Sequence, residues 1–427
     1  MFYILVKYTM RIVYRVFFRK IYFVNMHRMP KNAPVVMPVN HPTAFTEPVM
    51  MGVFLRRSIH FILKGNMFST PLLRWILNDL KTIPIFRMRD GKGFAGLRQN
   101  AETMEIVNEK LKKNQAILIL AEGVRKNEKR LRPIQKGAAR MAFKYHKTTN
   151  KDDLAIVCVG FNYAQATKYR SDVMIDMAEP RYLSEYVDLY QENDRKAINQ
   201  LTKDIEKDLK ERVIHIDKEE NDEVFNAVLD LFRNDRETSI FPIIENNPTP
   251  LKEEMELIQT MNQLNASDLE VLSQKVNSYQ QLLASQMLKD LAVSTPPKAF
   301  LPNAVLWLIG LIPALIGWVS NIIPMNLSRS FTEKNAKTPE DLASLYPATA
   351  LIFYLLYGLI ILILSVIFLG WKGIVVLPSL MLLGYVYVLW KENNDRWAAS
   401  RAFYALTVAE QSAIKNLRAE IKSLVRQ

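Results

Sequence analysis

Asn40-His41-Pro42-Thr43-Ala44-Phe45-Thr46-Glu47-Pro48 places a histidine and a carboxylate in one short polar stretch between apolar segments. A neutral imidazole takes a proton from an attacking alcohol only if its tautomer is fixed and the imidazolium that forms is stabilised, and a nearby carboxylate supplies both. His41 is therefore the candidate general base and Glu47 the group that orients it. A second polar stretch follows farther along, Ala121-Glu122-Gly123-Val124-Arg125, with Leu131-Arg132-Pro133-Ile134-Gln135-Lys136-Gly137 after it.

Around these stretches the chain alternates short β-like runs with helical ones. The runs are 35–39, 59–63, 116–120, 155–161 and 173–177; the helical stretches are 93–113 and 137–147. This alternation predicts an α/β layered domain. The polar stretches fall at the ends of the strand-like runs, where a sheet exposes groups to ligands, so they can converge in one cleft.

Four blocks, in order, resemble the glycerol-phosphate and lysophosphatidate acyltransferase family. They are Asn40 to Pro48, then Ile83-Pro84-Ile85-Phe86-Arg87-Met88-Arg89-Asp90, then Ala121 to Arg125, then Ala155-Ile156-Val157-Cys158-Val159-Gly160-Phe161-Asn162-Tyr163. The resemblance runs from about residue 30 to 180. It implies an α/β, mixed-sheet acyltransferase domain over residues 30–182. It also implies transfer of a fatty acyl group from acyl-CoA or acyl-acyl carrier protein to a hydroxyl of glycerol 3-phosphate or lysophosphatidate, with no bound cofactor. Acyl carrier protein is then a partner wherever it is the donor. Arg87, Arg89 and Arg125 suit an acceptor phosphate, because a guanidinium offers it two parallel hydrogen bonds. Gly123 lets the backbone approach that phosphate or adopt a positive φ. Glu122 either hydrogen-bonds glycerol hydroxyls or holds Arg125.

The chain also departs from the family pattern. Five residues separate His41 from its acid where four are usual, and the acid is Glu rather than Asp. The five-residue spacing is similar to that of a subgroup of glycerol-3-phosphate acyltransferases. Val124 and Lys126 stand where Thr and Ser are commoner, and Cys158 where Pro is common. These changes leave open a lysolipid or aminolipid acceptor of another kind, and a non-catalytic lipid-binding scaffold on the same fold.

Other chemistry finds little footing. The single cysteine, Cys158, lies in an apolar run and excludes a disulfide within the chain. His27, His60, His146 and His215 show no metal-ligand spacing, so no metal site is expected. The glycines of Gly91-Lys92-Gly93-Phe94-Ala95-Gly96 read as a loop entering a helix, not as a dinucleotide fingerprint.

A net charge of +13 predicts an anionic partner. Long apolar runs among the basic residues, and no nucleic-acid-binding motif, point to a lipid membrane rather than nucleic acid. Lys7, Arg11, Arg15 and Arg19 recur every four residues among apolar and aromatic side chains. They predict a basic stripe on an amphipathic interfacial helix over residues 1–29, facing anionic lipid.

Residues 183–299 turn polar and helix-favouring, with helices expected over 183–214, 224–232 and 252–288. Residues 300–395 are membrane sequence. Two apolar runs, 350–369 and 374–390, are long enough for a hairpin through a hydrocarbon core, and 304–323 is a third candidate interrupted by Gly310, Pro313, Gly317 and Asn321. If 304–323 re-enters with its bend at Pro313, every flanking Lys and Arg except Lys372 shares the side of the catalytic domain. The expectation is thus an integral membrane protein with its catalytic domain on the cytoplasmic face and a helical tail over 396–427.

Overall fold

The computed structural model describes residues 2–85, 93–236, 239–295 and 300–426. The chain divides into two compact units. The first comprises Met1–His215, Phe241–Leu251 and Ala336–Pro347; the second comprises Ile216–Ile240, Lys252–Asn335 and Ala348–Gln427.

In the first unit the chain runs α1 (Phe2–Phe17), β1 (Lys20–Val24), β2 (Val35–Val39), α2 (Thr46–Phe54), β3 (Ile59–Lys64), α3 (Pro71–Asp79), β4 (Thr82–Ile85), α4 (Gly93–Lys112), β5 (Ala116–Leu120) and α5 (Gly137–Thr149). It continues through β6 (Ala155–Ile156), β7 (Val159–Tyr163), β8 (Asp172–Met177), β9 (Arg181–Tyr182), α6 (Val187–Glu192) and α7 (Asp194–Lys210), and regains the sheet at β10 (Ile244–Glu245). The strand order is β10-β1-β8-β7-β2-β5-β3-β4, with β6 between β2 and β9. The β7–β8 and β6–β9 pairs are antiparallel and the others parallel, so the sheet is mixed as expected.

The central strands β2 and β5 are nearly unbroken apolar runs because helices cover both faces of the sheet. On one face Ile117, Ile119 and Ile156 pack with Ala138, Ala142 and Phe143 of α5 and Leu201 and Ile205 of α7. The expected strand over 155–161 is two strands. β6 pairs with Val35 and Val36, β7 rejoins at Val39, and the gap falls opposite Met37 and Pro38. Pro38 has no N–H to donate to a ladder, which accounts for the interruption.

The N-terminal expectation needs correction. The amphipathic helix ends at Phe17, and Lys20–Val24 is a strand paired with β8 and β10. Two of its basic residues, Lys7 and Arg11, also reach inward. Lys7 Nζ and Arg11 Nε donate to the carbonyls of Leu55 and Val53 at the C-terminal end of α2, at 3.0 and 2.6 Å. Arg15 lies over the Phe54 ring, and Arg19 pairs with Asp172. Cations suit the negative end of a helix. The face left outward is apolar: Ile4, Leu5, Tyr8 and Ile12 are about half exposed, beside Leu72 and Trp75 of α3.

The second unit holds α8 (Asp222–Asp235), most of α9 (Thr249–Asn262), α10 (Ala266–Ser285), α11 (Asp290–Ser294), α12 (Phe300–Asn335), the length of α13 (Pro339–Leu369) beyond Pro347, α14 (Val376–Tyr404) and α15 (Val408–Leu424). The helix expected over 252–288 is α9 and α10, separated at Asn265, whose side chain caps α10. Arg233 and Arg236 both bind the buried carboxylate of Glu254, at 2.5 and 2.7 Å.

A bend reversing the chain at Pro313 is also corrected. α12 is one helix of 36 residues containing Pro313 and Pro324. It lies close along α14: Trp390 Nε1 donates to the Trp307 carbonyl at 3.1 Å, and Asn321 Nδ2 to that of Leu380 at 3.2 Å. Such contacts give the Trp390 and Asn321 side-chain donors partners within apolar helices. The stretches Ala304–Asn335 and Pro339–Tyr404 are long and apolar enough to cross a membrane, and few of their apolar side chains are buried.

Candidate active site

Parallel pairing of β2 with β5 brings the first and third blocks together. Val39 lies opposite Leu120, so His41 and Glu122 leave neighbouring strands at the same end. The Asn40 side chain clamps this end of β2 to β7: Nδ2 donates to the Phe161 carbonyl at 2.9 Å and Oδ1 accepts from the Phe161 N–H at 2.7 Å. The Lys126 N–H reaches the His41 carbonyl at 3.2 Å, closing the third-block loop onto the first.

His41 and Glu47 face each other. Nδ1 of His41 lies 3.6 Å from Oε2 of Glu47, and neither atom has a hydrogen-bond partner among the described residues. Such pairs are often long before substrate binds. Glu47 is fully buried in the first turn of α2, where the helix dipole favours a carboxylate. Its other oxygen accepts from the Thr43 N–H at 3.1 Å and the Tyr163 hydroxyl at 3.2 Å. Burial, with the Glu47 charge next in effect, holds the Tyr163 phenol well above its usual pKa, so it stays a donor. Tyr163 is a supporting residue that sequence reasoning missed, although it ends the fourth block.

Glu122 neither reaches for Arg125 nor faces outward. Its oxygens accept main-chain N–H groups of His41 at 2.7 Å and Arg132 at 3.2 Å. Burial pushes its pKa up to about 7, against the opposing effect of those two N–H groups. Gly123 has φ +70°, the left-handed region in which a side chain is strained. The end of the loop is anchored by a histidine that the sequence left unassigned: His215 Nδ1 accepts the Leu131 N–H at 3.0 Å.

Arg125, the expected phosphate ligand, lies in the third-block loop that the Lys126–His41 backbone bond joins to the first block. Its guanidinium pairs with Asp341 at 2.8 Å. Arg87 and Arg89, like the rest of the second block beyond Ile85, lie outside the described residues. Cys158 is buried under α7, its thiol pushed up by burial, which fits an inert packing role. The side chains together form a histidine oriented by a buried acid at the open end of a sheet, with an arginine nearby.

Residues 20–162 match the Acyltransferase family model. No curated protein matches the chain. Among solved structures, the 1-acyl-sn-glycerophosphate acyltransferase PlsC of Thermotoga maritima is similar over 47% of this chain and 78% of its own, at 16% identity and a TM-score of 0.33. The first, third and fourth blocks, and the start of the second at Ile83–Ile85, lie within the matched stretch on one sheet and its loops. The domain that carries His41 and Glu47 is an acyltransferase domain.

Proposed function

We propose that this enzyme is a membrane-bound O-acyltransferase that moves a fatty acyl group from an acyl thioester, of coenzyme A or acyl carrier protein, to a hydroxyl of glycerol 3-phosphate or lysophosphatidate. The observation that carries the reading is the buried pair His41–Glu47. Glu47 faces Nδ1, which leaves Nε2 to take the acceptor's proton. The acceptor oxygen attacks the thioester carbonyl, the tetrahedral intermediate collapses with loss of the thiolate, and the imidazolium returns the proton to sulfur. No covalent enzyme intermediate is required. Arg125 is the group suited to the acceptor's phosphate, with Arg87 and Arg89 as further candidates from the second block.

The membrane reading draws on the two long apolar stretches and the apolar outward face of α1. Lys334 and Lys337 precede the α13–α14 hairpin and Lys391, Arg396 and Arg401 follow it, against Lys372 alone in the Gly370–Val375 turn. That asymmetry favours both hairpin ends on the cytoplasmic side with the acyltransferase domain. Engagement of Arg125 by an internal acid keeps a second reading alive, in which the same His41 and Glu47 acylate another lysolipid or an aminolipid.

Detergent-solubilised protein incubated with labelled acyl thioester and a panel of acceptors, followed by identification of the product lipid, tests both. A phosphate-bearing product supports the first reading and a different lysolipid product the second. Absence of thioester-dependent product with every acceptor defeats both and leaves a lipid-binding scaffold.

A further inference from the structure

The acid that holds Arg125 comes from outside the acyltransferase match. Asp341 belongs to Ala336–Pro347, a segment of the first unit that ends in the opening turns of α13. Its neighbours lock that segment onto the first and third blocks. Glu340 accepts the Asn127 N–H on its side chain at 2.7 Å and the Ala44 N–H on its carbonyl at 3.1 Å. Ser344 Oγ accepts the Phe45 N–H at 2.9 Å and bonds the Thr46 hydroxyl at 3.0 Å.

Asp341 divides its two oxygens. Oδ1 lies on Arg125 Nη1 at 2.8 Å, whereas Oδ2 accepts from the Lys337 N–H and the Thr338 hydroxyl at 3.2 Å each, inside the cap of its own helix. The carboxylate therefore has donors to retain when it leaves Arg125, and the segment has other anchors to keep it in place. The ion pair is partly open to water, with the Arg125 side chain 40% exposed, so it is weak. A phosphate dianion offers the same guanidinium more charge and two parallel hydrogen bonds.

We propose that Asp341 is an internal competitor for the acceptor's anionic headgroup at Arg125, so that it sets acceptor affinity and keeps the arginine neutralised until that headgroup displaces it. This rests on the phosphate-acceptor reading above. Asp341 is on this view an affinity-setting residue that does not touch the reacting atoms.

The test uses the full-length protein in detergent and the variant Asp341→Asn, which keeps an oxygen for the helix cap. Steady-state kinetics would give the acceptor KM and the donor KM; a thermal-shift titration with inorganic phosphate reads anion binding without turnover. Expected is a roughly two- to five-fold fall in both acceptor KM and phosphate midpoint, the factor that an exposed ion pair of up to about 1 kcal/mol allows, with the donor KM unchanged. In an Arg125→Ala background, Asp341→Asn should shift neither quantity. An acceptor KM or phosphate midpoint that is unchanged or raised, or an equal shift without Arg125, overturns the proposal. If wild-type protein acylates no phosphate-bearing acceptor, the functional reading falls, while the phosphate titration still decides whether Asp341 competes at Arg125.

Discussion

Glu122 holds the main-chain N–H of His41 at 2.7 Å, so the residue ending one central strand fixes the backbone of the candidate base on the next. The same carboxyl also ties down Arg132, and burial raises its pKa from an ordinary 4.5 to about 7. A carboxyl whose folded pKa is raised holds its proton more tightly folded than unfolded between pH 4.5 and about 7. Its contribution is therefore complete below 4.5 and is lost as pH rises through 7. The loss is on the order of 3 kcal/mol. Glu122→Gln should flatten this dependence: thermal melts at pH 5 and pH 8 should differ more for wild type than for the variant. Parallel curves for the two proteins would show that Glu122 ionises normally in the fold.

The geometry of His41 and Glu47 makes separate kinetic demands. His41→Ala should lower turnover by about a hundred-fold or more, as expected for loss of a general base. Glu47→Gln should lower kcat more than it raises KM, because the missing charge acts on the imidazolium that forms in the transition state. Glu47→Asp draws the carboxylate back from an already long 3.6 Å approach and should resemble Glu47→Gln. Near-normal turnover in a folded His41→Ala protein would remove His41 from the mechanism.

How much of this was legible in the sequence follows from the range of each signal. Unbroken apolar runs marked β2 and β5 residue for residue, since a strand buried on both faces needs nothing beyond its own composition. β4 and β10 were missed, being four and two residues long and held by pairing with distant partners. The His41–Glu47 pair was readable because the two residues lie six positions apart, one before α2 and one in its first turn. Asp341 was not, because nothing local to 336–347 says that it packs on the first and third blocks. The basic residues of α1 were read as one stripe facing lipid, whereas Lys7 and Arg11 bond the end of α2; periodicity gives a face, and only tertiary structure says what that face meets.

The apolar outward face of α1 yields a test of whether α1 meets lipid. Ile4, Leu5, Tyr8 and Ile12 form the outward face, and large apolar side chains gain by entering the headgroup boundary. Single cysteines at Tyr8 and Ile12, in a Cys158→Ser background and labelled with a fluorophore, should be quenched by lipid-borne nitroxides in proteoliposomes. A label at the exposed Lys113 should be quenched far less. Equal quenching at all three sites would deny α1 a membrane-facing role.

The contact of α12 with α14 depends on Gly317. A Cβ there would lie 2.1 Å from the Leu383 carbonyl oxygen and 3.0 Å from the Gly384 nitrogen. Both are backbone atoms, so no rotamer change relieves the clash and one helix must move. That displacement would pull Asn321 from the Leu380 carbonyl and Trp390 from that of Trp307, leaving polar groups unpartnered among apolar neighbours. Overpacking of this kind costs roughly 1–3 kcal/mol. Gly317→Val should therefore lower the Tm in detergent, whereas Gly358→Ala should change it little, because the added methyl meets only the flexible Leu377 methyl groups at 3.4 and 3.5 Å. If the two variants melt alike, α12 and α14 do not pack through Gly317.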